Sequence, residues 1–269
     1  EIALGVTAQW IGLDIDGNHG GDNYLGLAEL RFTQSGTVTG AINLPTTNLN
    51  VTDDSGLDAV TASTAAFGAL SFNGQGILTT SGADGSISFT GTTITSAAGD
   101  LGFETLSDTY AGPIDFNSTG AVIIKTGAAD LILDSSDPLN AAGAGFDVRE
   151  GRLIAQAGSN PLGVGNAVTI NGGEVVLVAK DAATDPTFDN PVTSTANGGT
   201  LTAGRDGDGF ARTVTIGSGT NHVSLDAGGT LLMQTLDGYT LNVGGNVAGD
   251  GNMAIAAAST VTVAGTLDA

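Results

Sequence analysis

The sequence has no cysteine. No disulfide can staple the fold, and no thiolate can hold a metal. Basic residues are almost as scarce: seven Lys and Arg stand against 28 Asp and Glu, a net charge of −21. That balance speaks against a nucleic-acid partner, because phosphate binding needs lysine and arginine. Aromatics supply 5% of the 269 residues and charged residues 13%. The expected core is therefore thin and filled by Ala, Val, Leu, Ile and Thr. No apolar run approaches the length of a membrane span, and no signal peptide is visible. The chain starts at Glu1 and the strand pattern at Val261–Leu267 simply stops, which reads as a mature or excised piece of a longer polypeptide. Chemistry-bearing motifs are missing too. Neither G-x-x-x-x-G-K-[ST] nor G-x-G-x-x-G occurs, nor does a G-x-S-x-G elbow. His19 and His222 stand too far apart, without HExxH-like spacing, to suggest zinc.

What is present is short strands and tight corners. Lys125 to Leu177 packs three strand-like runs, Asp130–Asp134, Gly151–Gln156 and Ala167–Val178, between the turn residues Ser135–Pro138, Gly158–Pro161 and Gly172–Gly173. The runs are alternating or wholly apolar, and every stop is Gly, Asn, Asp or Pro. No segment here sustains an apolar face at helical spacing. A repetitive β-solenoid suits so thin a core, since its narrow interior stacks small branched residues.

Three regions follow. In residues 1–34, Gln9–Ile15 and Tyr24–Phe32 flank the polar loop Asp16–Asn23, a hairpin-like unit. WIGLDIDGNHGGDNYLGLAELRF resembles the closing strands of a discoidin-like (coagulation factor 5/8 type C) jelly roll, which implies an antiparallel segment. Members of that family often bind sugar, and many hold a structural calcium through a carboxylate near the last strand. The resemblance implies Glu29, with the Ala28 carbonyl, as that ligand. Residues 35–112 are Thr/Ser/Gly/Asn-rich with weak strands at Thr37–Leu44, Ala66–Phe72 and Gly85–Thr95, compatible with early, uneven solenoid rungs. Residues 113–269 carry the strong repeats.

Within them, GRLIAQAGSNPLGVGNAVTINGGEVVL is similar to the autotransporter-associated β-strand repeat. Gly151–Leu153, Asn160–Leu162, Gly163, Gly165, Val168–Ile170 and Gly172–Gly173 fall on its pattern, with Glu174 in place of the usual Thr. The resemblance implies a right-handed parallel β-helix in a large secreted or outer-membrane-anchored protein. The residues make physical sense of it. Paired glycines turn a corner where a side chain would clash, and a corner Asn hydrogen-bonds its neighbours. The second glycines of the pairs stand at Gly173, Gly199 and Gly229, with Gly265 in a similar slot, and Asp181–Pro191 and Arg205–Gly209 read as insertions.

The expected fold class is thus all-β, a right-handed parallel β-helix preceded by an antiparallel jelly-roll-like segment. Calcium is the best ligand candidate, because Asp14-x-Asp16-x-Asn18 and Asp206-Gly207-Asp208 are oxygen-rich. Neither completes an EF-hand, and a solvated turn is the simpler account of each. Arg149 and Arg152 flank Glu150, which a surface ion pair accounts for. Two functions remain open. One is a non-enzymatic structural or adhesive segment, extracellular or at the outer-membrane surface, whose partners are copies of itself or cell-surface and matrix glycans. The other is a carbohydrate-binding or carbohydrate-active β-helix, lyase- or glycosidase-like, which needs paired carboxylates on one open face. A deep groove with two or more carboxylates and a nearby Arg favours the enzyme; a flat Thr/Asn-covered face favours the rod.

Overall fold

The computed structural model describes residues 29–31, 42–44, 46–58, 64–82, 85–95, 99–116, 120–135, 144–157, 160–207, 210–217 and 223–268. Among them there is no helix, and the strands pair in parallel along the whole stack, from Glu29–Arg31 beside Gly56–Asp58 to Val247–Ala248 beside Leu267–Asp268. An 11-stranded and a 10-stranded sheet run the length of the chain. Each coil lays one strand in the first long sheet, turns a corner, and lays the next in the second. Among the described residues a third side carries strands in two blocks of four, from Leu49–Val51 to Ile114–Phe116 and from Thr187–Phe188 to Thr260–Val263. The result is a β-solenoid.

Alternation dictates which residues enter it. In Ala121–Thr126, Ala121, Ile123 and Lys125 are buried while Val122, Ile124 and Thr126 are not. Identical alternation in neighbouring coils stacks like on like. Leu131, Leu153 and Val175 form one inward column at a repeat of 22 residues per coil. The expected core of small branched residues is only half of the finding. Seven phenylalanines lie on the axis, including the pairs Phe67–Phe89, Phe72–Phe103 and Phe116–Phe146 with ring centroids 6.0, 5.3 and 5.7 Å apart. A sequence poor in aromatics spends nearly all its phenylalanine inside.

The corners follow the glycine reasoning where it was sharpest. Gly172 has φ +104°, and a Cβ on Gly173 would come within 2.8 Å of Val148 Cγ1. Gly199 stacks on that corner, with the Thr200 amide donating to the Gly173 carbonyl, whereas Gly229 stands two residues out of that register, because Gly199 lies opposite Leu231. Gly265 does not share the slot: it lies between Thr260–Val263 and Leu267–Asp268, on the way back to the first long sheet. The insertion at Asp181–Pro191 is shorter than expected, because Thr187–Phe188 is a strand with Phe188 buried and Asn190 is buried beyond it.

Two expectations concern the amino-terminal part. Of residues 1–34 only Glu29–Arg31 is described, and it joins the first long sheet in parallel, not an antiparallel hairpin. The rest of the expected jelly-roll segment lies outside the described residues. The tract 35–112, read as irregular, contains coils as regular as those that follow: Thr64–Phe67, Ser86–Phe89 and Thr109–Ala111 stack in register. Its Thr and Ser positions hid the repeat, because several of them point inward. Thr80 and Thr109 are buried and share a hydroxyl hydrogen bond of 2.7 Å.

Candidate functional site

Outward residues of the second long sheet align in columns along the stack. One column runs Tyr110, Ile132, Ile154, Val176, Thr202, Gln234. Beside it, offset by two residues, runs Asp130, Arg152, Glu174 with Asp108 above them. Ile132, Ile154, Val176 and Val178 face away from the core and are nonetheless buried as a second apolar cluster. Along them lies a cleft of about 310 Å³ whose lining includes Tyr110, Asp130, Arg152, Glu174, Arg205 and Asp206.

The charged wall is pre-set by its own hydrogen bonds. Arg152 donates from Nε and Nη2 to the two carboxylate oxygens of Asp130 at 2.7 and 2.6 Å, a bidentate pair. Those bonds to Asp130 hold the guanidinium above its ordinary pKa, against the desolvation of partial burial. Glu174 accepts at Oε1 from the Thr202 hydroxyl and from Gln234 Nε2. Tyr110, 40% exposed, stands at one end of the cleft.

A second polar assembly is internal. Lys125 falls at an inward strand position and is fully buried. Its ammonium donates to the carbonyls of Thr126, Gly127 and Glu150 at 2.9, 2.7 and 2.9 Å. Burial lowers its pKa to about 8, opposed by the charges of Asp130 and Glu150. A Cβ on Gly151 would come within 2.8 Å of this Nζ and would strike the Gly127 carbonyl oxygen. Where the third side lacks strands, Asn160, Asn166 and Asn190 are buried together. Asn160 Nδ2 donates to Asn190 Oδ1 at 2.8 Å, and Asn190 Nδ2 to the carbonyls of Gly163 and Asn166, both at 2.8 Å.

Of the residues expected to bind calcium, Asp206 is exposed on the cleft beside Arg205. A neighbouring guanidinium disfavours a cation there. Glu29 sits in the strand Glu29–Arg31; Asp14, Asp16, Asn18 and Asp208 lie outside the described residues. Among the described residues no three carboxylate or imidazole side chains converge on a point where a metal ion could be held. Arg149 and Arg152 do not pair with Glu150. They pair with Asp147 and Asp130, at 2.7 and 2.6 Å, while Glu150 offers its carbonyl to Lys125.

The sequence reading missed the cleft and the buried lysine. Asp130, Arg152 and Glu174 lie one coil apart, and only the register brings them side by side. Lys125 did leave a signal, since AVIIKT places it on the face of Ala121 and Ile123. No family model matches the chain, and no curated protein or solved structure matches it either. No helix among the described residues is long and apolar enough to cross a membrane.

Proposed function

We propose that the chain is a stiff structural and adhesive segment of a large bacterial surface or secreted protein, working outside the cell and without catalysing a reaction. The observation that carries this reading is the continuous parallel stack, which links coil to coil by backbone hydrogen bonds along one axis. Right-handed winding is part of the proposal. It follows the resemblance of Gly151–Leu177 to the autotransporter-associated repeat and the strong preference of parallel connections for that hand. The cleft that holds Asp108, Asp130, Glu174 and Asp206 beside Arg152 and Arg205 favours a carbohydrate-active β-helix as the second reading, while the outward Thr and Asn columns suit the rod. On the last block of the third side, Thr213, Thr240 and Thr260 align, as do Thr215, Asn242 and Thr262, and Asn242 bonds to both neighbours, at 3.3 and 2.9 Å.

The partners proposed are copies of the chain itself, stacking in the parallel register that already joins coil to coil, or cell-surface and matrix glycans. Negative-stain electron microscopy of the purified chain over a range of concentrations tests the reading. End-to-end filaments growing with concentration are the expected result; compact particles at every concentration would overturn it. A parallel series in chelator tests the calcium expectation for Asp14, Asp16, Asn18, Glu29, Asp206 and Asp208: filaments that persist unchanged would remove it.

A further inference from the structure

We infer that the cleft on the second long sheet binds a neutral, hydroxyl-rich oligosaccharide lying along the axis of the stack. This rests on the adhesive reading above and names its ligand class. Three observations select that chemistry. First, the charged groups of the cleft gather around Arg152, which pairs with Asp130 and has Asp108 and Glu174 beside it, with Arg205 and Asp206 also in the lining. A ligand that meets them must both donate and accept hydrogen bonds. Second, the carboxylates Asp108, Asp130, Glu174 and Asp206 outnumber Arg152 and Arg205 in the lining, on a chain whose net charge is −21. An anionic polymer would be repelled, whereas a hydroxyl both donates to a carboxylate and accepts from a guanidinium. Third, Tyr110 offers a partly exposed ring in the lining, at the head of the apolar column and two residues from Asp108. A rigid aromatic with a polar tip suits the mixed apolar and polar faces of a sugar ring.

The solenoid supplies the spacing. Successive coils place their outward side chains about 4.8 Å apart; Ile132, Val176 and Thr202 form the buried floor of the cleft, and Asp108, Tyr110, Arg152, Arg205 and Asp206 are its exposed groups. Arg152 is already fixed by Asp130, and Glu174 by Thr202 and Gln234. Neither must be ordered at the moment of binding, which removes part of the entropic cost. Both oxygens of Asp130 are committed to Arg152, which removes one of the four cleft carboxylates from the pair that glycoside hydrolysis needs.

The test is titration calorimetry of the whole chain with cellohexaose, maltohexaose and hexagalacturonate. A neutral hexamer is expected to bind and the uronate to bind at least tenfold more weakly. Tyr110→Ala and Glu174→Gln are each expected to weaken binding about tenfold, with Tyr110→Phe close to the parent. Circular dichroism checks that the variants keep their β-structure. No heat with either neutral hexamer at millimolar concentration, tighter binding of the uronate, or an affinity indifferent to both Tyr110→Ala and Glu174→Gln would overturn the proposal. Filaments without sugar binding would sink the cleft alone; sugar binding by compact particles would sink the self-association and leave the cleft.

Discussion

Lys125 shows how much one side chain can decide in a thin core. Its stem occupies an inward position between strand neighbours, and its ammonium closes three backbone carbonyls at the corner. Leaving a buried carbonyl without a donor costs roughly 1–3 kcal/mol. Lys125→Ala also opens a cavity, so a loss of at least about 3 kcal/mol in denaturant unfolding is expected. The pH dependence has a definite sign. The folded group titrates near 8, below the ordinary 10.5, so between those values the unfolded chain holds a proton that the folded chain has shed. Its contribution is therefore most favourable above pH 10.5 and falls away as the pH drops through 8. The stability of the parent relative to Lys125→Met is expected to rise from pH 8 to 10.5; a flat difference would show that the ammonium is not desolvated. Asp130 and Glu150 are the charges acting on it.

At the scale of the element, corners hold the register and strands fill it. Gly172 at φ +104° and the packed Gly173 make a corner that a side chain cannot follow. Gly172→Ala is expected to cost about 1 kcal/mol or more, read as a fall in the denaturation midpoint at unchanged slope. The asparagine cluster replaces a third strand where none exists. Asn160 accepts the Leu162 amide and donates to Asn190. Asn160→Leu fits the volume but orphans both partners, an expected loss of about 2 kcal/mol; no loss would mean that the cluster is not a structural joint.

These elements also show what was legible. The glycine pair and Asn160 could be read directly, because a corner is a local problem with a local chemical answer. Strand alternation was equally visible in AVIIKT and DLILD. The coils before Pro113 were harder to see, since Thr80, Thr93, Thr105 and Thr109 are buried where alternation leads one to expect apolar residues. The cleft was not legible at all. It is built from Asp130, Arg152 and Glu174, which become neighbours only when the coil length is known to the residue. One residue of slip would turn each to the other face.

The whole molecule is an acidic stack of parallel coils. The net charge of −21 opposes association, so filaments of the parent are expected to lengthen between 0.01 and 0.5 M salt, as the screening length falls from about 30 Å to below 8 Å. That expectation depends on the in-register parallel stack, and the absence of native cysteine allows a direct test. Thr169 lies opposite Thr193, and Thr193 opposite Ser224, in the first long sheet. Cysteines introduced as Thr169→Cys with Thr193→Cys would stand one coil apart, about 4.8 Å, within reach of a disulfide. Thr169→Cys with Ser224→Cys would stand two coils apart, roughly 9.6 Å, beyond that reach. Rapid intramolecular crosslinking of the first pair, and none of the second, is the result expected under mild oxidant. Crosslinking of the second pair, or of neither, would contradict the stack.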